Sequence, residues 1–344
     1  MKAEQKESGD RRSPMRSSIS RRNQIKKRKA DLAAARRKTA QKKAMMQMEN
    51  LTTLTPAKVK RLLPKRIPGS NKGTYGKLLC IAGKKECAGC AILASEAALR
   101  SGLGMVKVLS AKSNFTALMS HVPEALFSSD TKKEALSGDF SWADAIVIGP
   151  GIGTGKKAAA VLADVLSTRG IPAVIDADGI NLISEDEGLR DALREKAEED
   201  TVILTPHLME MSRFTGIPPA LIKNDIANTA LSYARSYNTV IALKDARTVT
   251  ASPEGDLIKN TTGNNGMSTA GSGDVLAGLA GSLLAQGLNG FRAASIAVFL
   301  HGLAGDIAAD RYGVRGMKAM DIAESLPEAF LKVEEDNGFL QDMR

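Results

Sequence analysis

The chain has 344 residues, 43% of them hydrophobic, enough apolar material for one large core or two ordinary ones. Its net charge of +10 is uneven: residues 1–50 hold 16 Lys and Arg against 5 Asp and Glu, and the remainder holds 32 against 33. A near-neutral body does not suggest a nucleic-acid-binding core, and three cysteines are too few for a disulfide framework.

The basic stretch comes first. With Arg21-Arg22, Lys26-Lys27-Arg28-Lys29 and few apolar residues, 1–50 reads as a disordered or solvated tail. No apolar core follows its charges, so it is not a secretory signal, and Glu4, Glu7 and Asp10 fit a transit peptide poorly. A dispensable extension is the favoured reading and a nucleic-acid tether the alternative; initiation at Met48 is a sharper form of the first. Residues 51–340 then read as one domain. A short helix and basic lead-in occupy 51–66, closed by Pro64 and Pro68. Residues 77–83 form a buried strand ending in glycine, followed by a helix over about 91–101 and a second strand, Met105–Leu109. A third strand over 143–148 runs into Gly149-Pro150-Gly151-Ile152-Gly153, then a helix near 156–166. Further strands are 173–176, Val202–Leu204 and Val240–Leu243. Short, uninterrupted apolar strands alternating with helices predict an α/β fold with a mainly parallel sheet covered by helices on both faces. Residues 247–259 read as a hairpin, and 273–286, 290–311 and 321–332 as closing helices. No run of about 18 apolar residues suggests a membrane span, and a cytoplasmic protein is expected.

In open α/β sheets ligands sit outside the carboxyl ends of the strands. The loop 149–153, Asp176-Ala177-Asp178, Thr205-Pro206-His207 and Lys244 all follow strands, so they should converge on the loop 263–273. That loop opens a helix behind Gly271 and Gly273, leaving the first N–H groups free for an anion. Asp274, in the first turn, would repel a phosphate held there unless it takes a proton from an attacking hydroxyl. A plain N-terminal helix charge is the alternative. The loop 149–153 lacks dinucleotide-fingerprint spacing, and Pro150 removes an N–H, so it reads as a floor allowing close ligand approach. His207 reads as a ligand contact, with Glu210 completing a helix cap begun at Thr205. Lys244 either reaches phosphate as a point charge or is a turn lysine. His301, inside an apolar helix, reads as a packing residue, and Cys80 as core. Cys87-Ala88-Gly89-Cys90 has redox or metal spacing, but no further Cys or His completes a set. No protein-bound metal is expected; a Mg2+ carried by nucleotide phosphates is.

Taken in order, residues 71–77, 97–102, Gly149-Pro150-Gly151, Asp176-Ala177-Asp178, Thr205-Pro206-His207, Leu243-Lys244, 263–278 and 300–306 resemble the ADP-dependent NAD(P)H-hydrate dehydratase family. The resemblance spans about 55–335 and implies a ribokinase-like fold. It also implies a lyase of metabolite repair that returns hydrated NADH and NADPH (NADHX and NADPHX, S form) to the parent cofactors. ADP, or ATP, with Mg2+ would phosphorylate the C6 hydroxyl of the nicotinamide ring, and phosphate would then be eliminated. By this carry-over Asp274 takes the hydroxyl proton. Lys244, Asp245, Ala246, Arg247, Thr248, Gly271, Ser272 and Gly273 contact the nucleotide, and Cys90, Gly151, His207 and Asp274 hold the hydrate. A separate epimerase chain and a homo-oligomer such as a tetramer are implied as partners.

The chain departs from the family pattern at four places. Cys90 stands where alanine is usual, and Asp245 replaces the glycine after the lysine. The 205–210 loop lacks a proline-glycine, and Asn264-Asn265-Gly266 replaces an Asn-Pro-Gly turn. The alternatives are a ribokinase-type small-molecule kinase, for hydroxyethylthiazole or hydroxymethylpyrimidine, and a non-catalytic nucleotide-binding module, which Asp245 would favour.

Overall fold

A computed structural model describes residues 52–335. Contacts divide the chain into two units, Met1–Asn50 and Leu51–Arg344. The expected tail, and residues 51 and 336–340 of the expected domain, lie outside the described residues. From the amino end run α1 (Pro56–Leu62), β1 (Lys77–Ile81), α2 (Ala88–Arg100), β2 (Met105–Leu109), α3 (Phe115–His121), β3 (Leu126–Ser128), α4 (Lys133–Trp142) and β4 (Ala145–Ile148). Next come α5 (Lys156–Ser167), β5 (Ala173–Ile175), α6 (Asp178–Glu185), α7 (Glu187–Glu199), β6 (Val202–Leu204), α8 (Leu208–Thr215), α9 (Pro219–Asn224) and α10 (Ile226–Tyr237). Then follow β7 (Val240–Leu243), β8 (Val249–Ala251), β9 (Leu257–Lys259), α11 (Ser272–Ala285), α12 (Gly290–Gly316) and α13 (Ala319–Glu335).

All nine strands join one sheet in the order β3-β2-β1-β4-β5-β6-β7-β8-β9. It is parallel from β3 through β7, and β8 and β9 add the antiparallel hairpin that the turn residues predict. Successive residues of a strand face opposite sides, and here both sides are covered. Leu78, Cys80, Val106 and Val147 pack beneath α2, α11, α12 and α13, whereas Leu79, Ile81, Ile146 and Ile148 pack against α4 to α8 and α10. That double burial is why the strands read as continuous apolar runs.

Helix α11 lies unusually close to its neighbours. A Cβ on Gly278 would overlap the Ala94 carbonyl of α2, and one on Gly281 would overlap Val147 and Leu78. Glycine at these positions sets how near the N-terminus of α11 comes to the sheet edge. By length and mean hydropathy helix α12, Gly290–Gly316, could cross a membrane, but 72% of its apolar window is buried inside this fold, as in a core helix. Its helical geometry breaks at Gly313, two residues past the expected end.

Candidate active site

Strands β4, β5, β6 and β7 are adjacent and parallel, so the loops that follow them emerge side by side. Asp176, just past β5, is 1% exposed and meets two donors: Thr205 Oγ1 at 2.7 Å and Lys244 Nζ at 2.8 Å. Lys244 also lies 4.0 Å from Glu210. Burial works against the Lys244 ammonium, but the charges of Asp176 and Glu210 outweigh it, and its pKa is raised. Burial pushes the Glu210 carboxyl up, with Lys244 opposing.

His207, not Thr205, caps α8. Its Nδ1 accepts from the N–H groups of Met209 and Glu210 at 3.1 and 3.2 Å, and Glu210 accepts the His207 N–H at 2.8 Å. This reciprocal pair is a capping box. Thr205 is committed to Asp176 instead, which overturns its expected capping role. An accepting Nδ1 assigns the ring proton to Nε2, which lies 3.2 Å from Glu210 Oε1. Burial, then the Lys244 charge, lowers the His207 pKa, so the ring is held neutral and oriented.

Helix α11 begins at Gly271, whose φ of 90° is left-handed and which supplies no side-chain cap. The N–H groups of Gly271, Gly273 and Asp274 are left open for a ligand, while that of Ser272 donates to the Thr269 carbonyl at 3.3 Å. A Cβ at position 273 would sit 3.3 Å from Lys244 Nζ and 3.5 Å from Asp176 Oδ2, so glycine there lets the buried ion pair stand against the helix end. Burial pushes the Asp274 carboxyl from its ordinary 3.8 up to about 6; Asp176 adds to this, while the Cys90 thiol and Lys244 oppose it.

Gly151, at φ 60°, sits against two sulfurs: a Cβ there would lie 2.7 Å from Cys90 Sγ and 2.9 Å from Cys87 Sγ. The two Sγ atoms are 3.4 Å apart. Burial, then the Asp274 charge, pushes the Cys90 thiol up, so position 90 offers a small neutral group rather than a thiolate. Cys90, Gly151 and Asp274 thus form one cluster.

A cavity of about 740 Å³ opens beside it. Lys244, Asp245, Ala246, Arg247 and Thr248 line it, with Ser272, Gly273 and His207. Arg247 Nη1 donates to the Thr261 and Thr262 carbonyls at 2.5 and 3.4 Å, joining two walls. Thr262, Asn264 and His301 also line this cavity and were not singled out as contacts from the sequence. The Asn264 side chain donates to Gly305 O and Asp306 Oδ1, both at 2.9 Å, so the recognised segment 300–306 was the available signal. His301 is more than packing: its Nε2 is 3.2 Å from Ser272 Oγ, and burial pushes its pKa down to about 4. Among the described residues no group of three or more His, Cys, Asp or Glu could hold a metal ion.

The Carb_kinase family model, described as NAD(P)H-hydrate dehydratase, matches residues 78–328. A bifunctional NAD(P)H-hydrate repair enzyme of Moorella thermoacetica is 36% identical over 306 residues, covering 86% of this chain and 57% of that protein. The chain thus spans little more than half the length of such bifunctional relatives. An ADP-dependent (S)-NAD(P)H-hydrate dehydratase of Neisseria meningitidis is 35% identical, with 75% of this chain and 86% of that one covered. A crystal structure of the ADP/ATP-dependent NAD(P)H-hydrate dehydratase of Bacillus subtilis, co-crystallised with ATP and Mg2+, matches with a TM-score of 0.73 and 31% identity, covering 83% of this chain and 99% of that one. The shared fold is ribokinase-like. By sequence and by fold, the chain belongs to the NAD(P)H-hydrate dehydratase family.

Proposed function

We propose that this protein is a nucleotide-dependent dehydratase of hydrated NADH and NADPH. The observation that carries the reading is Asp274: a half-buried carboxyl with its pKa raised to about 6, in the first turn of a helix without a side-chain cap, beside a nucleotide-sized cavity. Family membership supplies the substrate and sets aside a thiazole or pyrimidine kinase.

ADP enters the cavity with its terminal phosphate at the open N–H groups of Gly271 and Gly273, beside Lys244, and the Ser272 N–H exchanges its Thr269 carbonyl for the phosphate. Asp245 brings a negative charge to this wall, and the Lys244 ammonium is the cation held against the helix end. The hydrated ring lies against Cys90 and Gly151, bordered by the fixed edge of His207. Asp274 accepts the C6 hydroxyl proton as the oxygen attacks the phosphorus, and AMP leaves. The C6–O bond then breaks, the ring nitrogen lone pair replaces those electrons, and loss of a C5 proton restores the double bond with release of phosphate. Mg2+ fits as an ion carried on the nucleotide's phosphates, whose oxygens are its usual ligands. It would neutralise phosphate charge when bound.

A reducing, cytoplasmic setting is supported by three free cysteines. An epimerase acting alongside is supported by the bifunctional relatives. A homo-oligomer is supported by Tyr312 and Val314, exposed apolar residues at the end of α12. The test of the activity follows the reduced-nicotinamide absorbance of NADPHX with protein, Mg2+ and ADP or ATP. A nucleotide-dependent rise that Asp274→Asn abolishes is expected. Folded wild-type protein that binds ADP yet gives no rise refutes the assignment.

A further inference from the structure

A second cavity, of about 680 Å³, opens at the carboxyl ends of β1, β2 and β3, against the first turn of α5. It lies where the sheet's connections diverge: β1 leads outward to β2 and β3, and the chain then returns to β4 on the other side of β1. Ligands of open α/β sheets bind at such switch points. The floor is apolar, with Ile81, Leu109 and Val161, whereas the rim carries Lys84, Lys112 and Lys157, and no carboxylate lines it. An apolar slot edged by lysines suits a planar base bearing phosphates.

The wall between this cavity and the Asp274 cluster is firmly built. Asn114, 3% exposed, donates to the Gly83 and Lys84 carbonyls at 3.1 Å each and to Ser110 Oγ at 2.9 Å. The Gly83 N–H donates to Pro150 O at 2.9 Å, and the Lys84 N–H to Gly151 O at 2.6 Å. The Gly153 N–H donates to Asp178 Oδ2 at 2.7 Å. One short loop therefore serves two places. Gly151 faces Cys90, while Ile152 and Gly153 line the second cavity. The second cavity thus begins at the residue that follows Gly151 in this loop.

We propose that the second cavity binds the adenylate half of the hydrated dinucleotide, and that its lysine rim selects the 2′-phosphate, so that NADPHX is preferred over NADHX. This rests on the dehydratase reading: ADP occupies the first cavity and the hydrated ring the Asp274 cluster, which leaves the substrate's other nucleotide to be placed. Lys112 and Lys157 are exposed, so reversing their charge leaves the core intact.

The experiment compares wild type with the Lys112→Glu/Lys157→Glu double variant. It reads KM for NADPHX, NADHX and ADP, and separately the affinity for NADPH from its fluorescence. The expected result is a rise of about tenfold or more in KM for NADPHX, a smaller rise for NADHX and no change for ADP, with NADPH affinity falling in parallel. Equal KM values for NADPHX in both proteins, or undiminished NADPH binding by the variant, would overturn the assignment. If neither protein dehydrates the substrate, the dehydratase reading fails, and NADPH binding alone still decides the cavity.

Discussion

Replacing Asp274 by Asn keeps the side chain's shape and removes the charge to which both the proposed chemistry and the fold respond. The Asp274 carboxyl titrates at 3.8 ordinarily and at about 6 in the fold, because burial and then Asp176 disfavour its ionised form. The fold therefore prefers the protonated acid. Stability from that preference is complete below pH 3.8 and is lost as pH rises through 6. At about pH 8 the folded protein bears the whole penalty, at most about 3 kcal/mol and somewhat less given the residual exposure of Asp274. Neutral asparagine removes most of it. Asp274→Asn should thus raise the thermal midpoint at about pH 8 by roughly 5 °C, and the gain should vanish near about pH 4. Activity should move the other way, falling about 10²- to 10⁴-fold with loss of a proton acceptor. Thermal unfolding of both proteins at the two pH values, with turnover at saturating ADP, checks the pair of outcomes. A variant less stable than wild type at the alkaline pH, or equally shifted at both pH values, would refute the electrostatic reasoning even if activity were lost.

Lys244→Met should destabilise the protein by about 3–5 kcal/mol in urea unfolding, because Asp176 and Glu210 are then buried without their cation. Adding Asp176→Asn to that variant should recover part of the loss, and ADP binding should stay weakened in both. Cys90→Ala should change turnover by no more than the equivalent of about 0.5 kcal/mol, since a small neutral side chain remains beside Gly151. It should also move the acid limb of the pH–rate profile upward, because the Cys90 thiol helps to hold the Asp274 pKa down.

The parallel strands were legible because each is apolar on both faces, a consequence of the two helical layers that no half-exposed strand shares. Strand β3 escaped notice for the opposite reason: it is three residues long, lies at the sheet edge, and exposes 48% of Leu126. Helices α6 and α7 were equally hard to see. Their buried stripe of Ile180, Ile183, Leu189 and Leu193 is interspersed with charges that dominate 185–200. The turn before α11 could be read as a candidate anion site because its glycines supply no side-chain cap, but the same pattern also fits a plain helix start. The second cavity was invisible, because its floor comes from strands and a helix far apart in the chain and its lysines from three separate segments.

What linear order withheld most was neighbourhood. Asp176 and Lys244 are 68 residues apart, and they meet because β6 alone separates β5 from β7 in the sheet. The sequence leaves Lys244 as either a phosphate contact or a turn lysine, and in the fold its ammonium is set between Asp176 and Glu210. That arrangement has a chemical consequence. The cation is fixed against the end of α11, where a transferring phosphate would sit, and little of its charge remains to acidify Asp274. A lysine bound directly to Asp274 would hold the carboxylate low and make it a poor proton acceptor. On the proposed mechanism, giving Lys244 two other partners leaves the Asp274 carboxylate basic enough to accept the hydroxyl proton.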